Sequence, residues 1–92
     1  MEFRWSDDKD AWLREHRGVS FEDIVVAIET GHLLATRRHH SGFAYAHQEI
    51  YYVEIDGYVY MVPFVRESES IFMKTVIPTR KGTKEFLKGS NQ

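Results

Sequence analysis

The stretch that decides the fold is Ile50 to Val65, which reads I-Y-Y-V-E-I-D-G-Y-V-Y-M-V-P-F-V. Two apolar runs flank Asp56-Gly57, and this dipeptide is typical of the two-residue type I′ turn of a β-hairpin. Pairing of Ile55 with Tyr58 fixes the register and sends alternate side chains to opposite faces. One face then carries Tyr51, Val53, Ile55, Tyr58, Tyr60, Val62 and Phe64, and the other carries Ile50, Tyr52, Glu54, Val59, Met61 and Val65. Both faces are mostly apolar, so we expect both to be covered, one of them by two helices that precede the hairpin.

Those two helices are predicted from their capping residues. Ser6 is suited to cap a helix from Asp7 to Arg17, which Gly18 ends, and residues 11–13 (Ala, Trp, Leu) are expected on its inner side. Residues 20–23 (S-F-E-D) have the form of a capping box, and an apolar stripe follows them as far as Thr30-Gly31. Residues 2–5 alternate between polar and aromatic side chains and predict a short strand before the first helix.

The remaining elements lie on either side of the hairpin. We predict a strand from Leu33 to about Arg38, a last meander strand from Ile71 to Ile77 that Pro78 breaks, and a final helix from Arg80 to about Lys88 capped by Thr79. The order β-α-α-β-β-β-β-α, with an antiparallel meander sheet packed against helices, is typical of an α+β domain. One domain is expected over residues 1–88, with 89–92 as a disordered tail.

Composition limits the classes of protein that the chain can belong to. With 92 residues, a net charge of −2 and 42% hydrophobic residues, it is expected to form one compact domain and not a two-domain enzyme. No apolar run approaches the roughly 20 residues of a membrane span, and the first eight residues lack the basic, then apolar pattern of a signal peptide. We therefore predict a cytoplasmic protein with no membrane partner. The chain has no Cys, so disulfides and thiolate metal sites are excluded.

Charge is distributed unevenly along the chain. The residues up to Ile71 include 7 basic and 13 acidic side chains, whereas those after it include 5 basic and one acidic. A second window without acids, residues 30–48, carries Arg37 and Arg38. Local positive potential of this kind can bind a polyanion even when the whole protein is slightly acidic. The alternative is that a basic final helix complements its own dipole and stays solvated.

Motifs at both ends of the chain resemble those of BrnT toxins. Residues 3–5 (F-R-W), Lys9 and residues 18–23 (G-V-S-F-E-D) are similar to the opening F-x-W…K-H-G-V-S-F-E-E of that family. Residues 77–85 (I-P-T-R-K-G-T-K-E) are similar to its ending I-S-A-R-K-A-T-x-x-E. The resemblance implies a RelE/ParE-like fold and a type II toxin–antitoxin pair, in which the toxin is a ribonuclease and the antitoxin a ribbon-helix-helix protein. The chain departs from the family at Pro78-Thr79, at Gly82, at Glu49-Ile50 and at Lys74-Thr75, the last two standing where the family has arginines.

The resemblance also implies catalytic residues. Cleavage of RNA by its own 2′-hydroxyl needs a base, a cation on the phosphate and a proton for the leaving oxygen, and none of these requires a metal or another cofactor. Arg80 matches the family motif and begins a predicted helix, so we expect it to clamp the phosphate; an ion pair with Glu54 is the alternative. Lys74 can supply positive charge but not the bidentate hydrogen bonds that an arginine makes to a phosphate. Arg66 is the next candidate, and pairing with Glu67 or Glu69 is its alternative.

The other candidate residues each have a structural or solvent-exposed role as the alternative. Glu54 lies in a mostly apolar strand face and is a candidate base, or it lies in water at the end of the hairpin. Lys81 and Lys84, three positions apart on a helix, are predicted to bind RNA together with Arg37 and Arg38; the alternative is ordinary solvated lysines.

The histidines give weaker predictions. Adjacent His39 and His40 point to opposite faces of a strand, so no metal site is expected, and His47 is a further candidate base.

Two classes of function therefore stay open. The first is a metal-independent endoribonuclease that acts on single-stranded mRNA and is neutralised by a cognate antitoxin. The second is a non-enzymatic interaction module, or an inactive toxin relative that acts with an antitoxin in repression. If the hairpin face with Tyr52, Val59, Met61 and Val65 is left uncovered, we expect it to bind the antitoxin or a second copy, in a hetero-oligomer or a homodimer.

Overall fold

The computed structural model describes residues 2–38 and 48–88 and shows an α+β fold built around a mixed, mostly antiparallel sheet. The strands are β1 (Glu2–Arg4), β2 (Leu33–Arg38), β3 (Gln48–Ile55), β4 (Tyr58–Arg66), β5 (Ser70–Met73) and β6 (Ile77–Pro78). The helices are α1 (Asp7–Arg17), α2 (Phe21–Glu29) and α3 (Arg80–Thr83), and α3 continues into a π-helical turn (Lys84–Lys88). We call α3 and this turn together the C-terminal helix. The strand order is β1-β5-β4-β3-β2, and β6 pairs with β4 beyond the end of β5.

The central hairpin has the predicted register. Ile55 pairs with Tyr58, and the antiparallel pairing continues to Gln48 and Val65 at the other end of β3 and β4. Asp56 and Gly57 have φ values of 52° and 80°, as a type I′ turn requires. The Glu54 carboxylate accepts a hydrogen bond from the Gly57 backbone N–H at 3.1 Å and so reinforces the turn.

The predicted helix caps are confirmed. The Ser6 hydroxyl accepts from the Lys9 backbone N–H, and Gly18 ends α1 in the left-handed region at φ 65°. Ser20 and Asp23 form a reciprocal capping box with both bonds at 3.0 Å. Each cap satisfies backbone donors that a helix start would otherwise leave open.

The predicted inner side of α1 is wrong for two of its three residues. Leu13 is fully buried, whereas Ala11 and Trp12 lie on the exposed side, and Trp12 retains 40% of its exposure. Successive helical residues are about 100° apart, so three in a row cannot all face one core. The Trp12 ring instead stacks on His16 with the ring centres 4.7 Å apart.

The main core lies between the first two helices and one face of the sheet. That face is the one predicted from the hairpin pattern, and its strand residues pack against Leu13 and Val19 and against Phe21, Ile24 and Ala27 of α2. The core strand residues are Tyr51, Val53, Val62, Phe64, Ile71 and Met73. The other face is covered by the C-terminal helix, where Gly82 and Thr83 are buried next to Val59. In the patch that was expected to bind an antitoxin or a second copy if it was left uncovered, Val59 is thus fully buried, and the Tyr52 ring lies 5.3 Å from that of Phe86 in the C-terminal helix.

Two features of the sheet differ from the prediction. The last meander strand is not continuous from Ile71 to Ile77, because it separates into β5 and β6 around residues 74–76. Between the paired positions Phe64↔Met73 and Met61↔Ile77, this edge has one residue more than β4, as in a β-bulge. Pro78 does not break the strand after Ile77 as predicted, because it is itself paired in β6.

The strand β1 adds the second difference, because it pairs with β5 in parallel and makes the sheet mixed. The predicted tail at 89–92 lies outside the described residues. None of the described helices is long and apolar enough to cross a membrane.

Candidate functional site

The C-terminal helix presents the predicted cations Arg80, Lys81 and Lys84 on its exposed side, while Gly82 and Thr83 face the sheet. Within residues 2–38 and 48–88, Arg80 forms no ion pair, so the alternative pairing with Glu54 is not found. The α-helical part spans only four residues, and the Thr79 hydroxyl already accepts from the Gly82 N–H at 3.0 Å. The positive potential of this surface therefore comes mainly from side chains and less from a helix N-terminus than the sequence suggested.

Lys74 lies between β5 and β6, in the segment beside β4 that leads on to Arg80. Its side chain is exposed, and its backbone N–H donates to the Pro63 carbonyl at 2.8 Å. Tyr60, three residues before Pro63 on β4, pairs with Pro78. At about 3.3 Å per residue, Lys74 is therefore roughly 10 Å along the strand direction from Pro78.

Arg66 belongs to a different part of the surface. It lies six residues beyond Tyr60 on β4, which corresponds to roughly 20 Å. Its guanidinium binds Glu49 through two hydrogen bonds, from Nε at 2.6 Å and from Nη2 at 3.3 Å. These bonds hold the pKa of Glu49 below and that of Arg66 above the ordinary values. Arg66 thus does not join Arg80, and its carboxylate partner is Glu49 and not the predicted Glu67 or Glu69.

The turn acid Glu67 has other partners. Its carboxylate accepts from the Ser70 hydroxyl at 2.9 Å and lies 3.6 Å from Arg4 of β1. The turn after β4 is therefore connected to the neighbouring strand, while Arg66 turns across the hairpin to β3.

Arg37 holds the C-terminal helix against β2. Its guanidinium donates to both oxygens of Glu85, at 2.6 and 3.4 Å, and its central carbon lies 4.9 Å from the ring centres of both Tyr52 and Phe86. These bonds lower the pKa of Glu85 and raise that of Arg37. The paired N–H donors of this predicted RNA-binding arginine thus already bind a carboxylate. Arg38 is exposed opposite Glu49, and its charge contributes, after the Arg66 bonds, to the lowered pKa of Glu49.

Glu54 is half-buried and takes part in the hairpin turn. It lies opposite Val59, whose carbonyl accepts from the Thr79 N–H at 3.0 Å, so Glu54 and Thr79 stand at the same level of the sheet. Two inter-strand spacings of about 4.8 Å separate their backbones. With its bond to Gly57, Glu54 has a clear structural role, and no described contact joins it to Arg80.

A groove between α2 and the hairpin turn was not predicted from the sequence. It has a volume of about 510 Å³. It is lined by acidic, aromatic and aliphatic side chains, among them Asp23, Val26, Glu54, Asp56, Tyr58 and Tyr60. The alternating tyrosines beside Asp56 are a local signal for its hairpin wall, whereas the approach of α2 is a tertiary feature without such a signal.

In the described residues, neither a group of metal-binding side chains nor similarity to a known protein identifies the site. In the part of the chain that the structure describes, no three His, Asp or Glu side chains are grouped so that they could hold a metal ion. His39 and His40, at which no metal site was expected, and His47, a candidate base, lie outside the described residues. No family model matches the chain, and no curated protein or solved structure matches it.

Proposed function

We propose that this protein is the toxin of a type II toxin–antitoxin pair and acts as a metal-independent endoribonuclease on mRNA. The observation that supports this proposal is the exposed cationic surface of the C-terminal helix, formed by Arg80, Lys81 and Lys84. The order of helices and strands, with two helices on one sheet face and a short C-terminal helix on the other, is compatible with a RelE/ParE-like fold. The resemblance of both ends of the chain to BrnT toxins supports the same assignment.

Within this proposal, Arg80 binds the scissile phosphate. A guanidinium presents two parallel N–H donors to phosphate oxygens and stabilises the charge that develops in the transition state. Within the same proposal, Lys74, roughly 10 Å along the strand direction from Pro78, would bind a neighbouring phosphate of the same RNA strand, as would Lys81 and Lys84. Arg66 is too distant to share the phosphate with Arg80. We therefore assign binding of the scissile phosphate to Arg80 of the C-terminal helix, without Arg66.

Arg80→Ala tests this assignment directly. Purified protein is incubated with a long single-stranded RNA in EDTA, with and without ribosomes, and the fragments are followed by gel. Loss of one transition-state donor is expected to slow cleavage about 10²- to 10³-fold. Arg14→Ala is the matched control, because Arg14 is an exposed arginine on α1 whose bond to Asp10 is remote from this surface. Equal cleavage by the parent and the Arg80 variant would remove Arg80 from the site.

A non-enzymatic interaction module is the second candidate function. It is favoured by the pairing of Arg37 with Glu85 and of Arg66 with Glu49, because these carboxylates occupy two guanidinium groups that were predicted to bind RNA or its phosphate. Growth inhibition in cells by a folded protein that leaves RNA intact, with and without ribosomes, would support this candidate over the nuclease.

A further inference from the structure

The groove between α2 and the hairpin turn has an acidic rim. Asp23 contributes from the first turn of α2, Glu54 from the end of β3 and Asp56 from the turn itself. None of these carboxylates forms an ion pair with a Lys or Arg of the described residues, and His32 is the sole basic side chain in the groove lining. Their known hydrogen bonds come from backbone N–H groups, which anchor the side chains without cancelling their charge. The groove lining therefore carries three carboxylates and no Lys or Arg.

The walls of the groove are aliphatic and aromatic. Val26 of α2 lines it and keeps 54% of its exposure, which is the highest among the large apolar side chains of the described residues. On the hairpin side, the rings of Tyr58 and Tyr60 meet edge to face, with centres 5.9 Å apart and planes at 70°. Aromatic rings beside carboxylates attract a cation through the ring quadrupole as well as through charge.

We propose that this groove is the docking site for a segment of a protein partner that carries a lysine or arginine next to an aliphatic side chain. The carboxylates and tyrosines would bind the cationic end of that residue, and its methylene stem and the aliphatic neighbour would cover Val26. Charge alone would also suit a free polyamine, but the exposed valine favours an occupant with an apolar side chain of its own. The groove shares no residue with the cationic surface of Arg80, so this proposal does not depend on nuclease activity.

Titration of the ¹⁵N-labelled full-length protein with acetyl-Leu-Lys-Leu-Lys-amide tests the proposal by NMR. We expect chemical-shift changes at Asp23, Val26, Asp56 and Tyr58 at millimolar peptide, and none of comparable size with acetyl-Leu-Glu-Leu-Glu-amide. Spermidine, added in a separate arm, should bind more weakly because it lacks the aliphatic side chains.

The variant Glu54→Gln/Asp56→Asn removes two charges from the rim and keeps the turn. Glutamine can still accept from the Gly57 N–H, and asparagine tolerates the positive φ of position 56. Two partly exposed charge pairs correspond to about tenfold weaker peptide binding. Glu15→Gln/Glu69→Gln changes the net charge equally at exposed positions away from the groove and should bind like the parent.

Several outcomes of the titration would overturn the proposal. They are shifts located elsewhere or absent at millimolar peptide, equal binding of the acidic peptide, equal binding by the rim variant, and spermidine binding as tight as that of the basic peptide. Groove shifts that depend on protein concentration alone would identify a second copy of the chain as the occupant and would equally refute a partner segment.

Discussion

Replacement of Gly82 by alanine tests how closely the C-terminal helix is packed. A Cβ atom at this position would lie 2.7 Å from Thr79 Cγ2 and 3.3 Å from Val59 Cγ1. Thr79 cannot simply rotate its methyl group away, because its hydroxyl caps the helix through the 3.0 Å bond from the Gly82 N–H. The substitution thus forces a choice between a steric clash and a lost cap.

The expected magnitude follows from three opposing contributions. Glycine to alanine gains about 1 kcal/mol of helix propensity, whereas an added methyl group in a packed site costs about 1–3 kcal/mol. Escape by rotation of Thr79 would lose about 1 kcal/mol of capping energy. We therefore expect Gly82→Ala to lower the free energy of unfolding by about 1 kcal/mol.

A second substitution should reverse this loss. Thr79→Ser keeps the capping hydroxyl and removes the methyl group that clashes, so the double variant Thr79→Ser/Gly82→Ala should regain the propensity of alanine. The contact with Val59 is present in both backgrounds and cancels in a double-mutant cycle. We expect a favourable coupling energy of about 1–2 kcal/mol between the two positions.

Urea unfolding followed by tryptophan fluorescence measures all four proteins. Trp5 is a suitable reporter, because it packs against the core and stacks on Phe21 with ring centres 5.6 Å apart. With an m-value of about 1 kcal/mol/M, the expected change moves the midpoint by roughly 1 M. A Gly82→Ala variant more stable than the parent, or a cycle in which the two changes simply add, would refute this reasoning.

Three further predictions concern stability. Thr83→Val should lower the free energy of unfolding by about 1–3 kcal/mol, because the buried Val59 N–H loses the Thr83 hydroxyl that accepts from it, while Thr83→Ser should not; urea unfolding distinguishes them. The pKa values of Glu49 and Glu85 are lowered by their arginine partners, so their contribution to stability is complete above the unfolded pKa of about 4.3 and disappears as the pH falls through the lower folded value. The urea midpoint, measured at decreasing pH, should show this loss of stability. In 1 M salt the loss should be smaller, because salt screens the two ion pairs. Burial raises the pKa of Tyr51, so stability should fall as the pH rises above about 10, less steeply in Tyr51→Phe.

Local signals allowed much of the fold to be predicted. Ser6, Ser20 and Gly18 determine helix ends through bonds or backbone angles that span a few residues, and Asp56-Gly57 fixes both the turn and the hairpin register. The parallel pairing of β1 with β5 left no such signal, because it joins segments that are distant in the sequence. The break before β6 was missed for a related reason. Val76 is fully buried although it lies between strands, so the apolar pattern reads as one continuous strand.

The candidate site was predicted in its residue types but not in its pairings. The sequence identified Lys81 and Lys84 as neighbours, since helical spacing determines that relation. The bond between Arg66 and Glu49 crosses the hairpin, and a register alone does not say which way a long side chain turns. The bond between Arg37 and Glu85 needed the position of the C-terminal helix on the sheet, which no pattern within that helix specifies.

The parallel pairing of β1 with β5 has a consequence for synthesis on the ribosome. Glu2 pairs with Ser70, so β1 is synthesised almost seventy residues before the strand with which it pairs. At about 5–20 residues per second, that interval lasts roughly 3–14 s. The hairpin of β3 and β4 can close during this time, because its contacts are local and form within microseconds. Nascent chains arrested before residue 70 should therefore leave β1 accessible to protease, and chains long enough to release β5 from the exit tunnel should protect it.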